Sequence, residues 1–137
     1  MFKRILVGYD GSEPSRKSLL AAFDLASCVN GKVTFLAVVR PPEFVEFEVK
    51  SFLEDAERRL ANAFRWAEEE AQKNSINLEI RTELGHPAEV LVKVAEDEKF
   101  DLIIIGRRGI TKVKRWMLGS ISERVLRYAP CPVMVLH

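Results

Sequence analysis

The sequence predicts an α/β domain, a doubly wound five-stranded parallel sheet flanked by helices. Three observations carry this. Five short β-rich runs alternate with helical patterns along the whole chain, an order that favours parallel strands joined by right-handed crossovers. Some of those runs are continuously apolar, as strands buried on both faces require. The chain has 137 residues, 47% of them apolar and 30% charged, which suits one soluble core-forming domain. The domain is expected to span residues 1–137, with no repeat, linker or low-complexity tract.

Taken in order, Phe2 to Gly8 is rich in Ile, Leu and Val, and Asp10-Gly11-Ser12 ends it with turn residues. A helix starts near Ser12 or Glu13, with Pro14 in its first turn, where a missing N–H costs little. Its apolar face is Leu19, Ala22, Phe23 and Ala26, and Asn30-Gly31 stops it. Val33 to Val39 is apolar except for Thr34 and reads as a buried strand. After Pro41-Pro42 and an irregular stretch, a long helix from Glu48 to Asn74 keeps one apolar stripe, including Val49, Phe52, Ala56, Phe64 and Ala71. Asn77 to Leu84 alternates apolar and charged residues, the pattern of a strand at or near a sheet edge. Gly85-His86-Pro87 turns into a helix from Ala88 to Glu98. Phe100 to Ile105 is the most apolar strand and is expected at the centre. A Gly-rich basic loop, a helix from Ser120 to Tyr128 and a strand from Cys131 to Leu136 complete the chain.

Composition excludes several classes. Twenty-one basic residues against 20 acidic give a net charge of +1, which argues against a protein built mainly to coat nucleic acid. The longest apolar runs fall far short of the ~20 residues that span a bilayer. Asp10 interrupts the apolar stretch after Lys3 and Arg4 before a leader's hydrophobic region could form. Cys28 and Cys131 lack any metal or redox spacing, and free thiols in a reducing cytoplasm are expected.

The strongest chemical signal is Gly106-Arg107-Arg108-Gly109, nine further residues, then Gly119-Ser120. Glycines admit a ligand close to the backbone, and a helix N-terminus at Gly119-Ser120 favours an anion. Arg107, Arg108, Lys112, Lys114 and Arg115 add five positive charges with no acid among them. A phosphate cradle fits this arrangement. So do blander readings: a turn, a solvated basic loop, and a capping box in Ser120-Ile121-Ser122-Glu123.

Beyond spacing, the chain resembles the universal stress proteins, the UspA-like family, over essentially its whole length. The resemblance rests on Ile5-Leu6-Val7-Gly8-Tyr9-Asp10-Gly11-Ser12, Gly85-His86-Pro87, Asp101 to Gly106, and Val125 to Val133. It implies a Rossmann-like domain of the adenine nucleotide alpha hydrolase-like type. Family members that bind ATP carry G-x2-G-x9-G-[S/T], matched here without a gap, so the resemblance is to the ATP-binding subgroup. It implies binding of ATP or AMP, with Mg2+ or Mn2+ on the phosphates. Gly106, Arg107, Arg108 and Gly109 would line the ribose and phosphate side, and Gly119, Ser120, Ile121 and Ser122 would hold the phosphates. Asp10 would contact the ribose or the divalent ion, or simply shape the turn after its strand. The backbone of Val38 would read the adenine edge, and Gly8 would pack near the base. Arg107 departs from the small residue common in the family.

The resemblance further implies a homodimer through Cys131 to Leu136, and a stress-response module whose nucleotide-ordered loop is read by a protein partner. Alternatives are a slow ATP-hydrolysing enzyme of the same fold, and a basic loop that docks nucleic acid or a partner. No Walker loop, nucleophile elbow or paired catalytic carboxylates appear, and no second group joins Asp10 to activate water. His86 reads as a loop histidine or as a gating or phosphate contact. Phe44 and Phe47 belong either to the core or to a flap beside the nucleotide.

Overall fold

The computed structural model describes residues 1–107 and 118–137. Nine elements alternate along the chain: β1 (Arg4–Tyr9), α1 (Glu13–Val29), β2 (Lys32–Val39), α2 (Val49–Lys73), β3 (Asn77–Leu84), α3 (Pro87–Asp97), β4 (Leu102–Gly106), α4 (Ser120–Tyr128) and β5 (Val133–Leu136). The strands form one parallel sheet in the order β3-β2-β1-β4-β5, with Val7 paired to Phe35 on one side and Ile104 on the other. The α/β reading therefore holds. The middle strand, however, is β1 and not β4. Both are apolar and covered on both faces, so apolarity alone does not rank them; β4 lies one strand from the edge, with short β5 beyond it.

Alternation along each strand sorts the core into two layers. Ile5, Val7, Val33, Phe35, Leu102 and Ile104 pack against Leu19, Ala22 and Phe23 of α1 and Ala67 and Ala71 of α2. Leu6, Leu36, Ile103 and Ile105 meet Ala88, Leu91 and Val94 of α3 and Val125 of α4 on the other face. β3 is an edge strand, as its charged residues suggest. Arg81 on it holds Glu98 at the end of α3 through two bonds of 2.8 and 2.6 Å, and Glu83 at 2.9 Å.

One helix outgrows the sheet. α2 has 25 residues, about 37 Å, whereas the eight-residue β3 spans about 26 Å. Its buried residues are Ala56, Ala67 and Ala71, so Val49 to Asp55 extend past the last core contact. The apolar stripe has the expected phase, but none of its first seven residues is fully buried, Phe52 and Leu53 being half-buried.

Candidate functional site

Strand order creates the site. From β1 the chain moves one way to β2 and β3, then returns to the other side of β1 as β4. The chain therefore passes from β1 to α1 on one face of the sheet and from β4 toward α4 on the other, and the carboxyl edge between them is the switch-point crevice at which open α/β sheets place ligands. α1 and α4 both begin at this edge, so two helix N-termini face it.

Two glycines set the floor. A Cβ on Gly106 would lie 2.8 Å from Pro14 Cβ and 3.3 Å from both Pro14 C and Ser15 N, so the end of β4 rests directly on the first turn of α1. A Cβ on Gly8 would lie 3.1 Å from Leu91 Cδ1 and 3.3 Å from Ile105 Cγ2, on the face covered by α3. Both glycines thus have a packing reason that the sequence reading assigned to a ligand.

The start of α4 departs from the expected capping box. Gly119 is the N-cap, with extended backbone at φ −65° and ψ 155°, and no side chain caps the helix. Ser120 is already its first helical residue and is exposed, because glycine adopts the cap conformation one position earlier. Ser122 turns inward instead: it is buried, and its hydroxyl donates to the Gly106 carbonyl at 2.6 Å. The first intrahelical bond runs from Glu123 N–H to Gly119 O at 3.0 Å. The N–H groups of Ser120, Ile121 and Ser122 consequently have no acceptor within the helix.

Across the crevice, Asp10 Oδ1 accepts the Ser12 N–H at 2.8 Å, so the carboxylate does shape the turn after β1. Asp10 is exposed, and its second oxygen is not used by that turn. Ser12 in turn caps α1, its hydroxyl accepting the Ser15 N–H at 3.3 Å.

Val38 offers a backbone group. Gly85 N–H donates to Val39 O at 2.9 Å, so Val39 faces β3, and alternation turns the Val38 carbonyl to the opposite side. There β1 has ended, since its last pair is Tyr9 with Ala37. The Val38 carbonyl thus points toward the crevice.

Arg107 is tied on three sides. Its N–H donates to Leu136 O at 2.6 Å, its carbonyl accepts from Gly119 N–H at 2.9 Å, and its guanidinium lies 3.2 Å from His137 Nδ1. The structure thus gives this arginine a partner at the end of β5, which nothing in the local sequence indicated. Arg108, Gly109, Lys112, Lys114, Arg115 and Trp116 lie outside the described residues.

His86 follows edge strand β3 and caps α3 through its backbone alone. Its Nδ1 is buried without a hydrogen-bond partner among the described residues. Two cavities lie elsewhere. One of about 470 Å³ sits at the amino edge, between Lys3, Gly31 and Asn74; another of about 320 Å³ separates Val92 from Arg124. Among the described residues no three His, Cys, Asp or Glu side chains gather as a metal site, and no helix is long and apolar enough to cross a membrane. Sequence reasoning missed Pro14 and Leu136, whose roles depend on contacts to positions 106 and 107 that no local pattern encodes.

The comparisons agree with this architecture. The model of the universal stress protein family matches residues 1–137. A universal stress protein of Thermus aquaticus is 34% identical over 140 residues, covering 100% of both chains. The structure of UspA from Lactobacillus plantarum superposes with a TM-score of 0.80 at 26% identity, over 99% of this chain and 98% of that one. Two neighbours solved with nucleotides share the fold. A universal stress protein in complex with cAMP has a TM-score of 0.78 at 23% identity, over 98% of this chain and 97% of its own. An Arabidopsis thaliana family protein with AMP bound has a TM-score of 0.71 at 15% identity, over 98% and 90%. With a match along its full length and the fold to go with it, the chain belongs to the universal stress protein family.

Proposed function

We propose that this chain binds an adenine nucleotide, ATP or AMP, in the crevice between β1 and β4, and acts as a regulatory stress-response module. The observation that carries the reading is the start of α4. There the N–H groups of Ser120, Ile121 and Ser122 and the exposed Ser120 hydroxyl supply donors where the helix dipole favours an anion. The gapless G-x2-G-x9-G-S spacing and the two neighbours named for cAMP and AMP support it. In this reading the phosphates lie on Gly119 to Ser122, with Gly106, Arg107, Arg108 and Gly109 on the ribose and phosphate side. The Val38 carbonyl, facing the crevice, suits the exocyclic amine of adenine, and Gly8 lies in the strand beside it. Asp10, a lone exposed carboxylate, suits the ribose or a Mg2+ or Mn2+ ion whose other ligands are phosphate oxygens and water.

The functional unit we propose is a cytoplasmic homodimer joined through Cys131 to Leu136. β5 is an edge strand whose outer backbone has no strand partner among the described residues, and unpaired edges are ordinarily covered. Two free cysteines suit a reducing compartment. A monomeric mass by light scattering at tens of micromolar would remove the dimer from this picture.

The nucleotide is tested by denaturing protein purified without added ligand and resolving the supernatant by anion-exchange chromatography. Stoichiometric ATP or AMP is expected, and the ATP to ADP ratio reports any slow hydrolysis. Empty protein that also fails to bind millimolar ATP would overturn the reading.

A further inference from the structure

The loop between β2 and α2 is the least settled apolar surface of the described molecule. Phe44 is fully exposed, Val45 is 65% exposed and Val49 51% exposed. The expectation that these aromatics belong to the core therefore fails at Phe44. Its backbone is also held at φ +60°, a left-handed conformation that is a genuine outlier for a bulky side chain. Such strain is characteristic of ligand clamps and switch segments. Phe47, two residues before α2, has its ring 5.2 Å from that of Phe52 on the helix.

Position narrows what this surface can meet. The loop leaves β2 immediately after Val39 and feeds the turns of α2 that outgrow the sheet, so it rises from the carboxyl edge beside Val38. Its charges are Glu43, Glu46 and Glu48 against Arg40. That acidic balance repels phosphate and suits the uncharged end of a nucleotide. An aromatic side chain over a base needs no hydrogen bond to hold it, since every base presents a π-face.

We propose that residues 41–48 form a lid that closes on the adenine base, with Phe44 stacking on the ring and Phe47 supporting it from α2. This rests on nucleotide binding in the crevice and adds to it a base-selective element. Closure buries Phe44 and lets its backbone leave the left-handed region. The triphosphate end, held at α4, is untouched by it.

The test compares ATP with tripolyphosphate, which has the same phosphates and no base, on the full chain. Phe44→Ser changes a fully exposed side chain, so the fold is expected to survive. ATP affinity should fall about tenfold, within the range for losing one base–aromatic stack, while tripolyphosphate affinity stays unchanged. In parallel, ATP but not tripolyphosphate should slow amide exchange across residues 42–48 of the wild-type chain. Equal ATP binding by Phe44→Ser, or equal weakening of both ligands, would overturn the lid and leave the nucleotide site standing. Protection of 42–48 that grows with protein concentration without nucleotide would assign the surface to a second copy instead and overturn the lid too. If the wild-type chain binds neither ligand, the crevice reading and the lid fall together.

Discussion

Replacing Gly106 with alanine isolates the contact on which the crevice floor depends. The added methyl would sit 2.8 Å from Pro14 Cβ, whereas carbon atoms in comfortable contact stand about 3.5–4.0 Å apart. No side chain can swing away to relieve it. The neighbour is a proline ring, and the next atoms, Pro14 C and Ser15 N at 3.3 Å, are backbone. Gly106 itself does not use the left-handed region, so alanine adds no backbone penalty and the cost is steric. Overpacking of this kind costs about 1–3 kcal/mol, and the rigid neighbours place it near 2. With a urea dependence of about 2 kcal/mol per molar, the unfolding midpoint should fall by about 1 M. In a chain of this size the melting temperature should drop by roughly 7 °C. Gly11→Ala is the matched control: it has nothing within 4 Å but φ +87°, so its cost of about 1–2 kcal/mol comes from the backbone alone. A Gly106→Ala midpoint within about 0.2 M of wild type would refute the steric argument. Preserved stability with lost ATP binding would then move the glycine's purpose from packing to ligand.

Further outcomes are expected at individual side chains. Ser122→Ala leaves the Gly106 carbonyl without its 2.6 Å donor and should cost about 1–2 kcal/mol in chemical denaturation. Ser120→Ala, on an exposed residue that caps nothing, should stay within about 0.5 kcal/mol yet weaken ATP binding in calorimetry. Asp10→Asn keeps an oxygen for the Ser12 N–H and should unfold like wild type, while Asp10→Ala should lose about 1 kcal/mol. If Asp10→Asn binds ATP with Mg2+ as tightly as wild type, the carboxylate is a turn residue only. Burial first, then the charge of Asp101, pushes the Cys131 thiol above its ordinary range, so iodoacetamide should label exposed Cys28 ahead of Cys131. Because the folded state favours the neutral thiol, its contribution to stability is present below the unfolded thiol pKa of about 9 and declines as pH rises beyond it. Equal labelling rates in the native protein would contradict this.

The fold was legible because its signals are local and repeated. Strand and helix periods alternate cleanly, and Glu79, Arg81 and Glu83 mark β3 as an edge that tolerates charge. What escaped is long-range. Whether β1 or β4 occupies the middle depends on strand pairing that no local pattern encodes, and both carry an apolar run. The Ser120-x-x-Glu123 pattern looks like a capping box, but Gly119 takes the cap conformation and Ser122 reaches a carbonyl 16 residues away. Phe44 reads either as core or as a flap, because aromatic residues near a strand end suit both; the structure leaves it fully exposed. The candidate site was legible as spacing and resemblance. The resemblance already named the backbone of Val38; the ties of Arg107 to Leu136, Gly119 and His137 needed the fold.

The bond from Gly119 N–H to the Arg107 carbonyl has a consequence for how the segment between them can change. Its two ends are joined at the base, and the base is fastened to Leu136 by the Arg107 N–H. The end of β4 and the start of α4 are therefore held together by bonds outside the segment that joins them. Doubling a closed loop costs only about 0.6 kcal/mol of chain entropy. Chain entropy alone thus sets little limit on the length of the motif's nine-residue interval. Chains with residues inserted there should keep the Gly119 to Arg107 tie and remain folded, which circular dichroism would check.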